Sequence, residues 1–239
     1  MKCYYLLLSA LSLGLLSCSK DNVLSKSEKK AGWNLLFDGK TKQGWRSAYG
    51  TEFPKNGWAV RDGEIKGELS EGGESGDAGD IVTLKKYKSF ELVFDWKLKK
   101  MGNSGVKYFV EERQPKPQGS QPAYEYQLID DANYIYNGKP LPQNLKTAAI
   151  YDVVPAQQPD VKMDVWHASK IVVKDNHIEH WLDGKLVMET DRKSEKFLKG
   201  VENGKFKNYP GFATIPSGHI LLQDHGHNVA FKNIKLKEL

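Results

Sequence analysis

The sequence predicts an all-β domain, a sandwich or a barrel, from three observations: apolar residues recur with period two, turn signals follow at short intervals, and helical periodicity is almost absent. Phe90, Leu92, Phe94, Trp96 and Leu98 alternate with Glu91, Val93, Asp95 and Lys97, which is a strand with one face in a core. Trp58-Ala59-Val60 and Glu64-Ile65-Lys66 flank the turn Arg61-Asp62-Gly63. Ile171-Val172-Val173 and Ile178 to Leu182 flank Lys174 to His177, and Asp183-Gly184 then turns into Leu186-Val187-Met188. Further strands are expected at 104–111, 123–130, 219–224 and 229–236, and only Ser194 to Leu198 reads as a helical turn. Irregular stretches at 70–79, 113–121, 133–146 and 156–163 are rich in Gly, Pro, Gln and Asn, and such loops on a rigid scaffold are where ligands are usually met.

The N-terminus has a different character. Lys2 precedes an apolar run from Tyr4 to Leu16 that ends in Leu15-Leu16-Ser17-Cys18, the layout of a bacterial lipoprotein signal, whereas a transmembrane helix needs roughly 20 apolar residues. The expected organisation is a signal peptide over 1–17, a polar tether over 18–31 with Cys18 acylated, and one domain over 32–239. The protein is then exported and held by lipid to the bacterial cell envelope, at the outer membrane, on its periplasmic or surface side. Lys20-Asp21 resembles the charged tag of surface lipoproteins. Cys3 and Cys18 are the only cysteines, so the domain carries no disulfide and thiol catalysis is excluded. The net charge of +5 comes from dispersed lysines with only four arginines (Arg46, Arg61, Arg113, Arg192), which argues against a nucleic-acid partner.

The segment richest in chemical information is Ala123 to Asp130. On a strand, Glu125 and Gln127 share one face while Tyr126 and Leu128 turn to the core, so the two polar side chains decorate a solvated face or floor a polar groove. Gly218 to His227 repeats the pattern, with Gln223 and His225 opposite Ile220 and Leu222. Gly102 to Tyr108 brings small polar residues to a strand start, where backbone donors approach a ligand closely.

These residues carry a family resemblance. The matching elements are Trp33 to Gly39 with Gly44-Trp45, Gly102-Asn103-Ser104-Gly105, Tyr124 to Asp130, Lys146 to Tyr151, Trp166-His167, Trp181 to Gly184, and Leu222 to Gly226 with Val229 to Ile234. Taken in this order, they resemble the 3-keto-disaccharide hydrolase family over essentially the whole mature chain. His167, where Asn is expected, and Lys232, where Arg is usual, depart from the pattern. The resemblance implies a concanavalin A-like jelly-roll β-sandwich of two antiparallel sheets and activity on glycosides whose sugar is a ketone at carbon 3. It implies substrate-binding positions among Asn103, Ser104, Gln127, Asp130, Lys146, Tyr151 and Gln223.

The residues themselves argue against an ordinary glycosidase. That chemistry needs two carboxylates about 5 to 10 Å apart. Here Gln127 stands where a second acid would sit beside Glu125, and Asp130 has the opposite strand parity. A 3-keto sugar changes the requirement, because the ketone acidifies the carbon-2 proton and the glycosidic oxygen can leave by elimination. One base and one stabiliser of the enolate then suffice. His225 or Glu125 is the expected base, with Asn103, Gln127 and Lys146 orienting the sugar or the enolate. The alternative is a non-catalytic, lectin-like lipoprotein, which would show an open aromatic platform without a buried base.

No organic cofactor is implied. Asp224, His225 and His227 form a candidate set for a divalent metal, since His-x-His on a strand faces one way. His177 and His180, beside a hairpin turn, are expected at the surface. Trp33, Trp96 and Trp181 fit core positions, and Trp45, Trp58 and Trp166 adjoin loops, where a ring is placed to stack on sugar, although core is expected for each. Tyr134 and Tyr136 are the preferred platform candidates.

Overall fold

In the computed structural model, which describes residues 20–68, 79–116, 122–157 and 161–239, the alternation in the sequence becomes fifteen strands. The first five are β1 (Asn34–Leu35), β2 (Trp45–Ser47), β3 (Trp58–Arg61), β4 (Glu64–Gly67) and β5 (Ile81–Tyr87). The next five are β6 (Phe90–Leu98), β7 (Asn103–Val110), β8 (Tyr124–Ile129) and the small hairpin β9 (Ile135–Tyr136) and β10 (Lys139–Pro140). The chain closes with β11 (His167–Lys174), β12 (His177–Leu182), β13 (Lys185–Asp191), β14 (Gly218–Leu222) and β15 (Val229–Glu238). All pairings are antiparallel. The larger sheet runs β13-β12-β11-β6-β15-β4-β3 with β1 added on β15, and the smaller runs β2-β5-β14-β7-β8.

The two sheets close on one core. Phe90, Leu92, Phe94, Trp96 and Leu98 of β6 meet Val106, Tyr108, Tyr124, Tyr126 and Leu128 of the smaller sheet. The core's polar groups are paired. Tyr126 Oη and Trp96 Nε1 both reach Ser169 Oγ at 2.9 Å. His180 donates from Nδ1 to Ala148 O (2.7 Å), so its Nε2 is the acceptor for the Tyr108 hydroxyl (3.0 Å). This corrects the surface placement of His180. It lies on the same parity as Ile178 and Leu182 and is fully buried, while His177 alone stays at the surface.

Tryptophan placement also differs. Trp45, Trp58 and Trp96 are buried, whereas Trp33, Trp166 and Trp181 are half-exposed, Trp181 because it falls on the outward parity of β12. The helical turn foreseen at Ser194 is the start of a longer helix, α2 (Glu195–Asn203). Ser194 caps it by accepting from Phe197 N (3.2 Å), and Phe197 packs into the core on Tyr124. A short α1 (Lys26–Lys30), closed by a Ser25/Glu28 capping box, was not foreseen.

The stretch expected as a tether is packed onto the domain. Asn22 is buried and exchanges hydrogen bonds with Asn233. Cys18 lies outside the described residues, as does most of the 70–79 loop.

Candidate active site

The outer face of the smaller sheet collects the polar residues of β7 and β8. Lys107 pairs with Glu125 across the two strands, Gly105 with Gln127, and Asn103 with Ile129, so these positions form a ladder on one face. Lys107 Nζ stands 3.5 Å from Glu125 Oε2, with side-chain exposures of 1% and 5%. The Glu125 side chain folds over Gly105. A Cβ there would sit 2.5 Å from Oε1, so a side chain at this position would push the carboxylate aside. At the far end of the ladder Asn103 Nδ2 contacts His225 Nε2 at 3.1 Å. Asn103 and Gly105 are two residues apart on β7, so the carboxylate over Gly105 and the imidazole on Asn103 attach roughly 7 Å apart along the strand.

Asp80 and Asp224 complete the site from the next strand ends. Asp224 N donates to Asp80 Oδ1 (2.9 Å), and Gly226 N donates to Asp224 Oδ1 (2.9 Å). Burial is the largest influence on Asp80 and pushes its carboxyl up to about 6; neighbouring Glu125 and Asp224 push the same way and Lys107 opposes. A buried lysine beside several carboxylates, one of them raised to about 6, is an arrangement able to hold or release a proton near neutral pH.

Buried polar atoms cluster at the same place without a protein hydrogen-bond partner: Asn103 Oδ1, Gln223 Oε1, His225 Nδ1 and His227 Nδ1. Structures seldom leave such groups unpaired, so several together mark a surface shaped for a polar ligand. The His225 and His227 rings stack 5.6 Å apart and are only half-buried, which makes this the more accessible end of the cluster. Burial lowers the affinity of His227 for a proton, helped by its neighbour His225.

The expected residues divide. Glu125, Gln127, Asn103, Gln223 and His225 share the outer face of the smaller sheet. Ser104 does not join them. It is fully buried on the core parity, beside Val106, and donates to Gln223 O (2.9 Å), which holds the loop that carries His225. Asp130 accepts from Met101 N (2.8 Å) and from Asn133, so its carboxylate anchors the two chain reversals at the end of the ladder instead of facing the groove.

Lys146 and Tyr151 flank a strap, 146–151, that runs along the free edge of β8. Ala148 N donates to Gln127 O (2.8 Å) and Tyr151 N to Glu125 O (3.1 Å). Lys146 lies near Asp131, whose carboxyl burial pushes up to about 6. Tyr134 packs with Ile129, Leu141 and Leu145, and Tyr136 projects from the β9–β10 hairpin.

Asp224, His225 and His227 do not converge as metal ligands. Asp224 is drawn to the Asp80 and Gly226 backbone contacts and His225 to Asn103, and among the described residues only His177, Glu179 and Glu189 bring three ligand atoms within 4.8 Å of one another. Lys107 and Asp80 are the site residues that sequence reading missed. Strand parity with Asn103 and Gly105 could have found Lys107, but Asp80 reaches the site only through sheet pairing.

A second polar cluster lies on the same face. Arg46 and Glu112 form a bidentate pair (2.7 and 2.8 Å) beside His219 in an open cleft of about 500 Å³.

Fold and site together define a class: a jelly-roll sandwich with a buried cluster of charged and polar side chains on the outer face of its smaller sheet. Within that class, the chain belongs to the 3-keto-alpha-glucoside-1,2-lyase-like family, whose model matches residues 32–237. It is 33% identical over 229 residues to a 3-keto-disaccharide hydrolase of Bacteroides thetaiotaomicron, covering 87% of this chain and 79% of that protein. A crystal structure of a putative glycosyl hydrolase from Parabacteroides distasonis superposes with a TM-score of 0.82 at 36% identity, over 92% of this chain and all of that one. A carbohydrate-binding module from Bacillus subtilis, 13% identical with a TM-score of 0.50 over 82% of this chain and 96% of its own, shares the fold alone.

Proposed function

We propose that this protein cleaves glycosides whose sugar carries a ketone at carbon 3, by elimination followed by hydration. The observation that carries the reading is the buried Lys107–Glu125 pair facing unpartnered groups of Asn103, Gln223 and His225 on one face of the sheet. A base takes the carbon-2 proton, and the electron pair moves onto the ketone oxygen as an enolate. Its return expels the glycosidic oxygen from carbon 1, which takes up a proton. Water then adds to carbon 1 of the enone while a proton returns to carbon 2, and the sum is hydrolysis.

His225 is the base in this scheme: its ring is half-exposed, and with Nε2 protonated and the Asn103 amide turned to accept from it through Oδ1, the unpartnered Nδ1 is left to take the carbon-2 proton. The Lys107 ammonium, held by Glu125, and the Gln127 amide stabilise the enolate oxygen. A fixed cation or donor at a developing oxyanion contributes about 100- to 1,000-fold, and a placed base about 100- to 10,000-fold. A buried ion pair with histidines at its mouth fits a catalyst better than a flat aromatic platform that only binds sugar.

The test is to incubate the protein with a 3-keto disaccharide and with its unoxidised parent, following free sugar and enone absorbance. Release from the keto form alone, with a transient enone, is the expected result. Release from both would make this an ordinary glycosidase, and binding without release would make it a lectin.

A further inference from the structure

The N-terminal segment lies across the outer face of the larger sheet, on the opposite side of the core from the groove. Asn22 N donates to Asn233 Oδ1 (2.6 Å), Asn22 Oδ1 accepts from Asn233 N (2.8 Å), and Asn22 Nδ2 donates to Gly63 O (2.8 Å). Asp21 pairs with Lys232 at 2.7 Å, and Glu28 of α1 with Lys235 at 2.8 Å. Cys18 therefore stands three peptide units from a residue fixed to the sheet, a reach of about 10 Å. A lipid on Cys18 would hold the domain close and in a preferred orientation.

The face beside that point carries tryptophans and lysines, with Glu91, Asp95 and Glu179 set among them. Trp33, Trp166 and Trp181 are half-exposed there, with Lys237 over the first ring, Lys97 and Lys232 over the second and Lys170 over the third. Strand register sets Trp181, Lys170, Val93 and Lys235 in one row across the sheet. Next to the anchor, Val23 is exposed, as are Lys20, Lys26, Lys29 and Lys30. Tryptophan sits at the boundary between headgroups and acyl chains, and lysines close to a lipid anchor attract anionic headgroups.

We propose that the outer face of the eight-stranded sheet, with Trp33, Trp166, Trp181 and α1, rests on the anionic bilayer surface that holds the lipid, so that the groove opens away from the membrane. This rests on acylation of Cys18. The orientation leaves the groove open to substrates from the aqueous side and keeps a bulky glycoside clear of the headgroups.

The experiment uses the full chain, produced with its leader so that acylation occurs, in vesicles of phosphatidylethanolamine and phosphatidylglycerol containing brominated lipid. With Cys3 in the leader and Cys18 acylated, an introduced cysteine is the sole free thiol. A fluorophore is placed at Lys170→Cys on the larger sheet, or at Thr51→Cys beside the Arg46–Glu112 cleft, with circular dichroism confirming the fold of each. Brominated lipid is expected to quench the first label about twofold or more and to leave the second unchanged, as suits a face seated at the headgroup boundary. Equal quenching, or stronger quenching at position 51, on a protein whose Cys18 carries acyl mass overturns the orientation and leaves the anchor standing. An unmodified Cys18 on protein that stays in the supernatant overturns the anchor and the orientation with it.

Discussion

Lys107 and Glu125 neutralise one another where water has little access, and each is costly to strand. Lys107→Met or Glu125→Gln should lower turnover of a keto-glycoside at least about 100-fold and destabilise the fold by about 3–5 kcal/mol, since each leaves a buried partner without its counter-charge. The double variant should recover much of the stability while remaining inactive, which a thermal melt beside a turnover assay measures directly. Asp80 presents the converse case. Its folded-state proton affinity is raised, so its charged form burdens the fold at neutral pH. Asp80→Asn keeps an acceptor for Asp224 N and should raise stability at pH 7 by about 1–3 kcal/mol while reducing activity, the trade expected of a charge held for function.

At the scale of elements, the strap 146–151 gives β8 a neighbour it would otherwise lack and fixes the backbone beneath Glu125 and Gln127. Thr147 is its central fastener. Its Oγ1 donates to Ile129 O (2.8 Å) and accepts from Ile129 N (3.2 Å), and it is fully buried. Thr147→Val removes both bonds at nearly constant volume and should cost about 1–3 kcal/mol in urea unfolding. It should affect KM more than a distant surface change of equal stability cost, because the strap carries Lys146 and Tyr151. The ladder on β7 shows the same dependence of site on element: Gly105 admits the Glu125 side chain only because the strand parity aims both at one face.

Across the whole molecule, two buried groups and the half-buried Asp131 oppose one another in acid. His180 is held neutral in the core, with its proton affinity lowered to about 3 by burial. Its contribution is fully present above pH 6.5 and is lost progressively as pH falls towards 3, because the unfolded chain takes up the proton first. Asp80 and Asp131, both raised to about 6, act in the other sense: the folded chain binds their protons first, so stability grows as pH falls from 6 to about 4. Two carboxyls outweigh one imidazole, so the melting temperature should rise as pH falls from 6 to about 4 and drop below that. A variant with both Asp80→Asn and Asp131→Asn should instead lose stability steadily from pH 6.5 downwards, which a series of melts against pH would reveal.

The sequence by itself determined the layered β architecture and the pairing of neighbours in the chain, because period-two alternation and Asp-Gly or Asn-containing turns act within a few residues. The hairpins around Asp62-Gly63, Asp175-Asn176 and Asp183-Gly184 all formed where those signals stand. It also determined the common face of Glu125 and Gln127, since parity is a local property. What lies across the sheet was decided only by tertiary structure. Asp80 meets Lys107 because β5 and β7 both pair with β14, more than a hundred residues downstream. Ser104 and Asp130 turn away from the polar face by strand parity, and only the tertiary fold supplies the partners they meet there, Gln223 O and Met101 N. His180 and Trp181 exchanged the positions their loop suggested, because burial follows the parity of the finished sheet and not the distance to a turn. The folded course of residues 20–31 was equally hidden: a polar stretch reads as a tether until Asn233 and Gly63 arrive to satisfy Asn22.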